Sequence, residues 1–214
     1  MVSREVFQED ALEWLGKRAP LPSSSLVASL PDYSEFPKLS LAEWKIWFEE
    51  AACAIMRSCP ERGVVIFYQR DIKHDGVWVD KAFLCQKAAE KEGMHQLWHK
   101  IVQRAPAGQV TFGKPGYSHL ICFSRGLHLE PGQSSADVLV DAGESTWVRG
   151  MGTRVCEMIC GFLLKCTETK ILVAPFCGEG ALLAVANKMG LSAIGIERSR
   201  KRAEKARLLM WEQL

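Results

Sequence analysis

Apolar residues in this chain gather in short unbroken runs. Longer stretches between them carry apolar positions three or four residues apart. Ile171-Leu172-Val173 is too brief for a helix and rich in β-branched side chains, so it predicts a strand buried on both faces. The same reasoning predicts strands at Val6–Gln8, Leu26–Leu30, Gly63–Tyr68, Leu97–Arg104, Tyr117–Arg125 and Ser192–Ile196. Helical spacing marks the segments between. Leu41, Trp44, Trp47, Phe48, Ala51, Ala52 and Ile55 give Leu39–Met56 one apolar face. Helices are also expected at Ala11–Lys17, Lys81–Glu92 (closed by Gly93), Thr153–Lys165 and Ala181–Met189 (closed by Gly190). Alternating strands and helices predict an α/β fold around a mainly parallel sheet.

Composition bounds this picture without changing it. The chain has 214 residues, 48% hydrophobic and 24% charged, which suits one globular domain with a sizeable core. A net charge of +2 does not by itself point to a polyanionic partner. No apolar run approaches the roughly 20 residues of a membrane span, and the acidic start lacks the features of a secretory or transit segment. The eight cysteines include no C-x-x-C pair and fall mostly in apolar patterns. Buried thiols in a reducing compartment are expected, in the cytoplasm or an organelle. Cys156 and Cys160 share a helix face, but nothing completes a zinc set, and no metal is expected.

The stretch with most chemistry is 171–198. Its strand breaks at Ala174-Pro175-Phe176-Cys177-Gly178-Glu179-Gly180, a helix follows, and a second strand ends on Glu197-Arg198. Glycines at 178 and 180 allow a ligand to approach the backbone closely, and the next helix start offers unpaired N–H groups to an anion. A carboxylate at the end of the neighbouring strand suits a ribose diol. The dinucleotide fingerprint needs a third glycine, which is missing. The stretch resembles motif I of class I S-adenosylmethionine-dependent methyltransferases. Its nearest form is the D-P-F-x-G-S-G-T of amino-methyltransferases acting on adenine N6 or cytosine N4. Pro175, Phe176, Gly178 and Gly180 match; Ala174, Glu179 and Ala181 depart from it.

The resemblance implies a doubly wound, mostly parallel seven-stranded sheet of the Rossmann-like methyltransferase type, circularly permuted. Residues 1–125 would carry the third strand of the usual order and the acceptor half. A connector at 126–145 would follow, then a motif X-like helix and the motif I half over 146–214. S-adenosyl-L-methionine is the implied cofactor, contacted by Asp10, Ala174, Pro175, Phe176, Cys177, Gly178, Gly180, Glu197 and Arg198. Asp10 also suits a helix N-cap, and the two roles are compatible. Ser29-Leu30-Pro31-Asp32-Tyr33 stands where the (D/N/S)-P-P-Y motif presents the acceptor, implying catalytic roles for Ser29, Pro31, Asp32 and Tyr33. Leu30 takes the polar position unless Ser29 substitutes, and Asp32 replaces a proline. Asp32 is open to two readings, as a base or as a cap. Arg149 is a loose match to a contact with the cofactor's methionine end.

The loops 68–78 and 114–119 are read either as solvated turns or as sites for a phosphate and a base. The basic run 198–207 is read as a solvated helix or as an RNA footprint. The short connector leaves no room for a domain that reads duplex DNA in its major groove. A base in structured RNA, tRNA or rRNA, is therefore the expected acceptor. A protein or small-molecule acceptor, or a non-catalytic scaffold binding RNA or a partner subunit, is the alternative, and a homodimer is compatible with either.

Overall fold

The computed structural model describes residues 2–146 and 150–214. Among these, ten strands and six α-helices follow one another as β1 (Arg4–Phe7), α1 (Ala11–Gly16), β2 (Ser24–Ala28), α2 (Leu41–Arg57), β3 (Val65–Gln69), β4 (Ile72–His74), β5 (Val77–Val79), α3 (Lys81–Lys91), β6 (His95–Gln103), β7 (Tyr117–Ser124), β8 (Val138–Leu139), α4 (Thr153–Cys166), β9 (Ile171–Pro175), α5 (Ala181–Lys188), β10 (Ser192–Ile196) and α6 (Arg200–Leu208). The main sheet runs β1-β10-β9-β2-β3-β7-β6-β8. Its first five strands are parallel, and β7 lies antiparallel to both β3 and β6.

The apolar runs form strands because both faces of the sheet are covered. Leu26, Ala28, Val65, Phe67, Ile121, Phe123 and Val173 meet α1, α2 and α3 on one side. Val27, Ile66, Tyr68, Leu120, Cys122, Leu172 and Ala174 meet α4, α5 and α6 on the other. Alternate residues of one strand thus serve opposite layers, as the period of two requires.

β1 comes first in the chain yet pairs with β10 near its other end, through Arg4↔Ala193 to Phe7↔Ile196. The Phe7 carbonyl accepts from the Glu197 amide at 3.0 Å, so the two strand ends meet. This is the permuted order. The chain leaves β9 in one direction, through α5 to β10, and reaches β2 on β9's other side from β1 through α1. Sheets of this kind open a crevice at such a reversal, outside the carboxyl ends of the two strands.

Three features differ from expectation. Among the described residues the sheet has eight strands, not seven, because the connector 126–145 contributes β8, two residues paired parallel to β6. Lys100 anchors it, its Nζ donating to the Ser135 and Ala136 carbonyls at 2.9 Å. Loop 68–78 contains a β4–β5 hairpin whose tip, Asp75-Gly76, has positive φ at both residues (49° and 75°), a geometry the Asp-Gly pair favours. β2 begins at Ser24 and ends at Ala28, short of Leu30. Its polar start is satisfied internally, with Ser25 Oγ 2.6 Å from Thr169 Oγ1 and accepting from the Val64 amide at 3.1 Å.

Candidate active site

The turn after β9 is held in a conformation few sequences tolerate. Phe176, Gly178 and Gly180 all lie in the left-handed region, with φ of 61°, 59° and 87°. For Phe176 that conformation is costly, and such strain persists only where the surroundings over-determine it. Glu197 is one such constraint. It is 7% exposed; Oε2 accepts from the Gly178 amide at 3.1 Å and Oε1 from the Ser199 amide at 2.8 Å. Arg202 Nε lies 3.3 Å from Oε1.

Both glycines line the cavity, and Gly180 has a packing role besides. A Cβ on Gly180 would lie 2.7 Å from the Ala206 Cα, so Gly180 is small to let α6 pack against the start of α5. α5 has no side-chain cap, which leaves its first-turn amides to other acceptors. Cys177 is an unreactive thiol here. Burial, with the Glu197 charge beside it, pushes its pKa up to about 12.

Asp10 is the N-cap of α1, as one of its two readings had it. Oδ1 accepts from the Leu12 and Glu13 amides at 2.9 and 3.2 Å. Oδ2 takes no hydrogen bond among the described residues and remains open to a ligand. Asp10 and Glu197 line one cavity of about 550 Å³, together with Ala174, Pro175, Phe176, Cys177, Gly178, Gly180 and Arg198.

Ser29, Leu30, Pro31 and Asp32 line the same cavity, brought there by the end of β2 beside the end of β9. Tyr33 is not among its lining residues. Its ring packs edge-on against Trp44 and His74, with centroids 5.9 and 4.9 Å away. Leu30, 4% exposed, puts an apolar side chain at the motif's polar position.

Asp32 caps a one-turn 3-10 helix over Tyr33–Glu35, with a reciprocal bond from its own amide to Glu35 Oε1 at 3.1 Å. Its carboxylate also faces Lys81 Nζ at 3.3 Å and Lys114 Nζ at 2.8 Å. Burial pushes its pKa up, but the two ammonium groups outweigh this and hold it below the ordinary carboxylate value. Asp32 is thereby a weaker proton acceptor than an ordinary carboxylate, and the capping half of its two readings is the one seen in the hydrogen bonds. Desolvation lowers the Lys81 pKa, and Asp32 opposes that effect.

Behind Lys81 lies a buried network that the sequence did not announce. Asp71 accepts from the Lys81 amide at 2.8 Å, from Trp78 Nε1 at 3.0 Å and from His119 Nε2 at 3.0 Å. His99 Nε2 is 2.9 Å from His119 Nδ1. Burial pushes the Asp71 pKa up, and this donor set, led by His119, brings it below the usual range. The network fixes the start of α3 and hence Lys81. Asp71, Asp80 and His119 form a metal-capable trio within 4.8 Å, but the facing atoms of Asp71 and His119 bond each other.

Arg149 lies outside the described residues, although Thr146, Gly150 and Met151 on either side line the cavity. The basic helix α6 uses much of its charge internally. Arg202 meets Glu197, Lys205 meets Glu179, Arg200 meets Glu204, and Arg207 donates to the Val6 carbonyl. Gln69, Arg70, Lys81 and Arg104 also line the cavity; Gln69 and Arg70 come from loop 68–78, read either as a solvated turn or as a phosphate and base site, whereas Lys81 and Arg104 read locally as ordinary polar positions at the start of a helix and the end of a strand.

No family model matches the sequence, and no curated protein does either. Solved structures do match. PvuII DNA methyltransferase (cytosine-N4-specific) is 16% identical over 98% of this chain and 87% of its own, with a TM-score of 0.74. TTHA0409 of Thermus thermophilus, an inferred DNA modification methylase solved with S-adenosyl-L-methionine, is 17% identical over 96% of this chain and 93% of its own, TM-score 0.72. M1.HpyAVI, also solved with that cofactor, is 11% identical over 95% and 98%, TM-score 0.64. The chain therefore has the Rossmann-like fold of these S-adenosylmethionine-dependent methyltransferases, with a permuted strand order.

Proposed function

We propose that the protein is an S-adenosylmethionine-dependent methyltransferase acting on a base in structured RNA, tRNA or rRNA. The supporting observation is one cavity lined by Asp10, Glu197, the glycine turn and the 29–32 segment, which are far apart in the chain. In this reading Glu197, already fixed by two amides, accepts from the ribose diol, Asp10 Oδ2 accepts from the adenine amino group, and the α5 amides donate to the methionine carboxylate. Transfer is an in-line displacement: the acceptor lone pair forms a bond to the methyl carbon while the carbon–sulfur bond breaks. S-adenosylhomocysteine leaves, and the acceptor's surplus proton passes to solvent. With Leu30 at the polar position and Asp32 held ionised, rate enhancement comes from alignment in a confined cleft.

The short 126–145 segment, with no room for a duplex-reading domain, supports RNA. Trp78 and Phe112, 44% and 92% exposed in the segments before Lys81 and Lys114, are suited to stack unpaired bases. The second reading is DNA, favoured by what PvuII methyltransferase and TTHA0409 are described as modifying. Labelled cofactor, incubated with total RNA and with genomic DNA from cells lacking the protein, separates them. Label in RNA alone supports the proposal, label in DNA replaces it with the second reading, and cofactor binding without label in either points to a protein or small-molecule acceptor.

A further inference from the structure

The two halves of the cavity carry opposite charge. Beside the glycine turn lie Asp10, Glu179 and Glu197 with Arg198 and Arg202; beside the 29–35 segment, Arg70, Lys81, Arg104 and Lys114 face only Asp32 and Glu35. The second set is built from four separate segments and is partly withdrawn from water. Lys81 is 3% exposed. Arg70 donates through Nε and Nη2 to the Pro115 carbonyl at 2.8 and 2.5 Å, which turns its Nη1, without a partner among the described residues, outward from that bond. Arg104 donates through Nη1 to the Tyr68 hydroxyl at 2.8 Å. Its Nε and Nη2 are unassigned among the described residues. Guanidinium forks with donors to spare suit a phosphate better than a neutral ring.

A second observation points to a ligand in the same place. Gln69 ends β3, is 1% exposed and lines the cavity, yet its Nε2 has no hydrogen-bond partner among the described residues. A buried donor left unpaired costs free energy unless something in the cavity accepts from it.

We propose that the acceptor enters carrying its own phosphate. Arg70, Arg104 and Lys114 hold the phosphate, Lys81 balances Asp32 beneath it, and Gln69 Nε2 donates to the edge of the base. The subsite thus takes a nucleotide and reads the backbone at the modified position. This deepens the RNA reading for the reacting group, but anion binding can be measured without transfer.

The test is calorimetry on the full chain, with and without S-adenosylhomocysteine, using adenosine and cytidine and their 5′-monophosphates as probes. The monophosphates are expected to bind about tenfold or more tighter than the nucleosides, with inorganic phosphate competing. Arg70→Gln with Arg104→Gln brings the ratio to about one. Lys114→Ala, on a partly exposed side chain, lowers it in the same direction. Gln69→Leu weakens nucleoside and monophosphate alike. Equal binding of the two probes by the wild type, or binding of neither, overturns the proposal. So does an unchanged ratio in the double variant, or succinate competing as well as phosphate. S-adenosylhomocysteine binding reports the fold of every variant. If it fails in the wild type while the monophosphate preference stands, the methyltransferase reading falls and the anion subsite survives.

Discussion

The two halves of the cleft are built from different materials. The half around the glycine turn is largely main chain: three left-handed residues in a five-residue turn, uncapped helix amides, and a carboxylate already bonded to two backbone N–H groups. The half around the 29–32 segment is side chain, with long cations from four segments lining it and two of them, Lys81 and Lys114, paired with Asp32. Backbone-built sites demand particular residues at fixed spacing, because only glycine accepts most of those angles. Side-chain sites demand only that some cation reach the right place, and long flexible stems reach it from many positions.

The contrast can be broken from either side. The largest effect is expected from Glu197→Ala. Removing the acceptor for the Gly178 and Ser199 amides weakens S-adenosylmethionine binding by about a hundredfold in calorimetry; unchanged affinity removes Glu197 from the site. Gly180→Ala forces a Cβ against α6 at a left-handed position and is expected to cost about 3 kcal/mol of stability in denaturant unfolding. A loss under about 0.5 kcal/mol would show that α6 yields freely.

Asp32→Asn acts on the other half. It frees Lys81 and Lys114, raises affinity for nucleoside monophosphates several-fold, and leaves cofactor affinity unchanged. The same variant tests pH dependence. Asp32 has a folded-state pKa below its unfolded value, so its stabilising contribution is complete above about pH 4. It is lost as pH falls through the folded pKa, and acid unfolding of the wild type should be steeper than that of the variant. Tyr33→Phe is expected to change transfer rates least, by less than about twofold. Its ring faces Trp44 and His74 rather than the cleft. A large loss would restore the motif's tyrosine to the acceptor.

The same division explains what the sequence disclosed. Strands buried on both faces must be apolar throughout, so β2, β3, β9 and β10 could be read directly, as could the permuted order from the position of the glycine turn. The packing role of Gly180 was hidden, because sequence shows a missing side chain but not that α6 occupies part of the vacated space. β8 escaped notice because two residues carry no periodicity. Tyr33 matches its motif letter for letter, yet the capping box over 32–35 turns it toward α2. The cation cluster was only half legible: Arg70 and Lys114 lie in loops with a phosphate-binding reading, but Lys81 and Arg104, taken alone, are ordinary charges, and nothing in the sequence says that the four converge.

The pairing of β1 with β10 has a consequence for how the protein is made. Asp10 leaves the ribosome early, but the pocket it helps to form stays open until the segment bearing Glu197 has emerged and docked beside Phe7. Nascent chains that stall before that point carry the 29–32 segment without the complete cavity. Ligand-dependent protease resistance should therefore arise abruptly, once β10 has emerged, rather than in proportion to chain length.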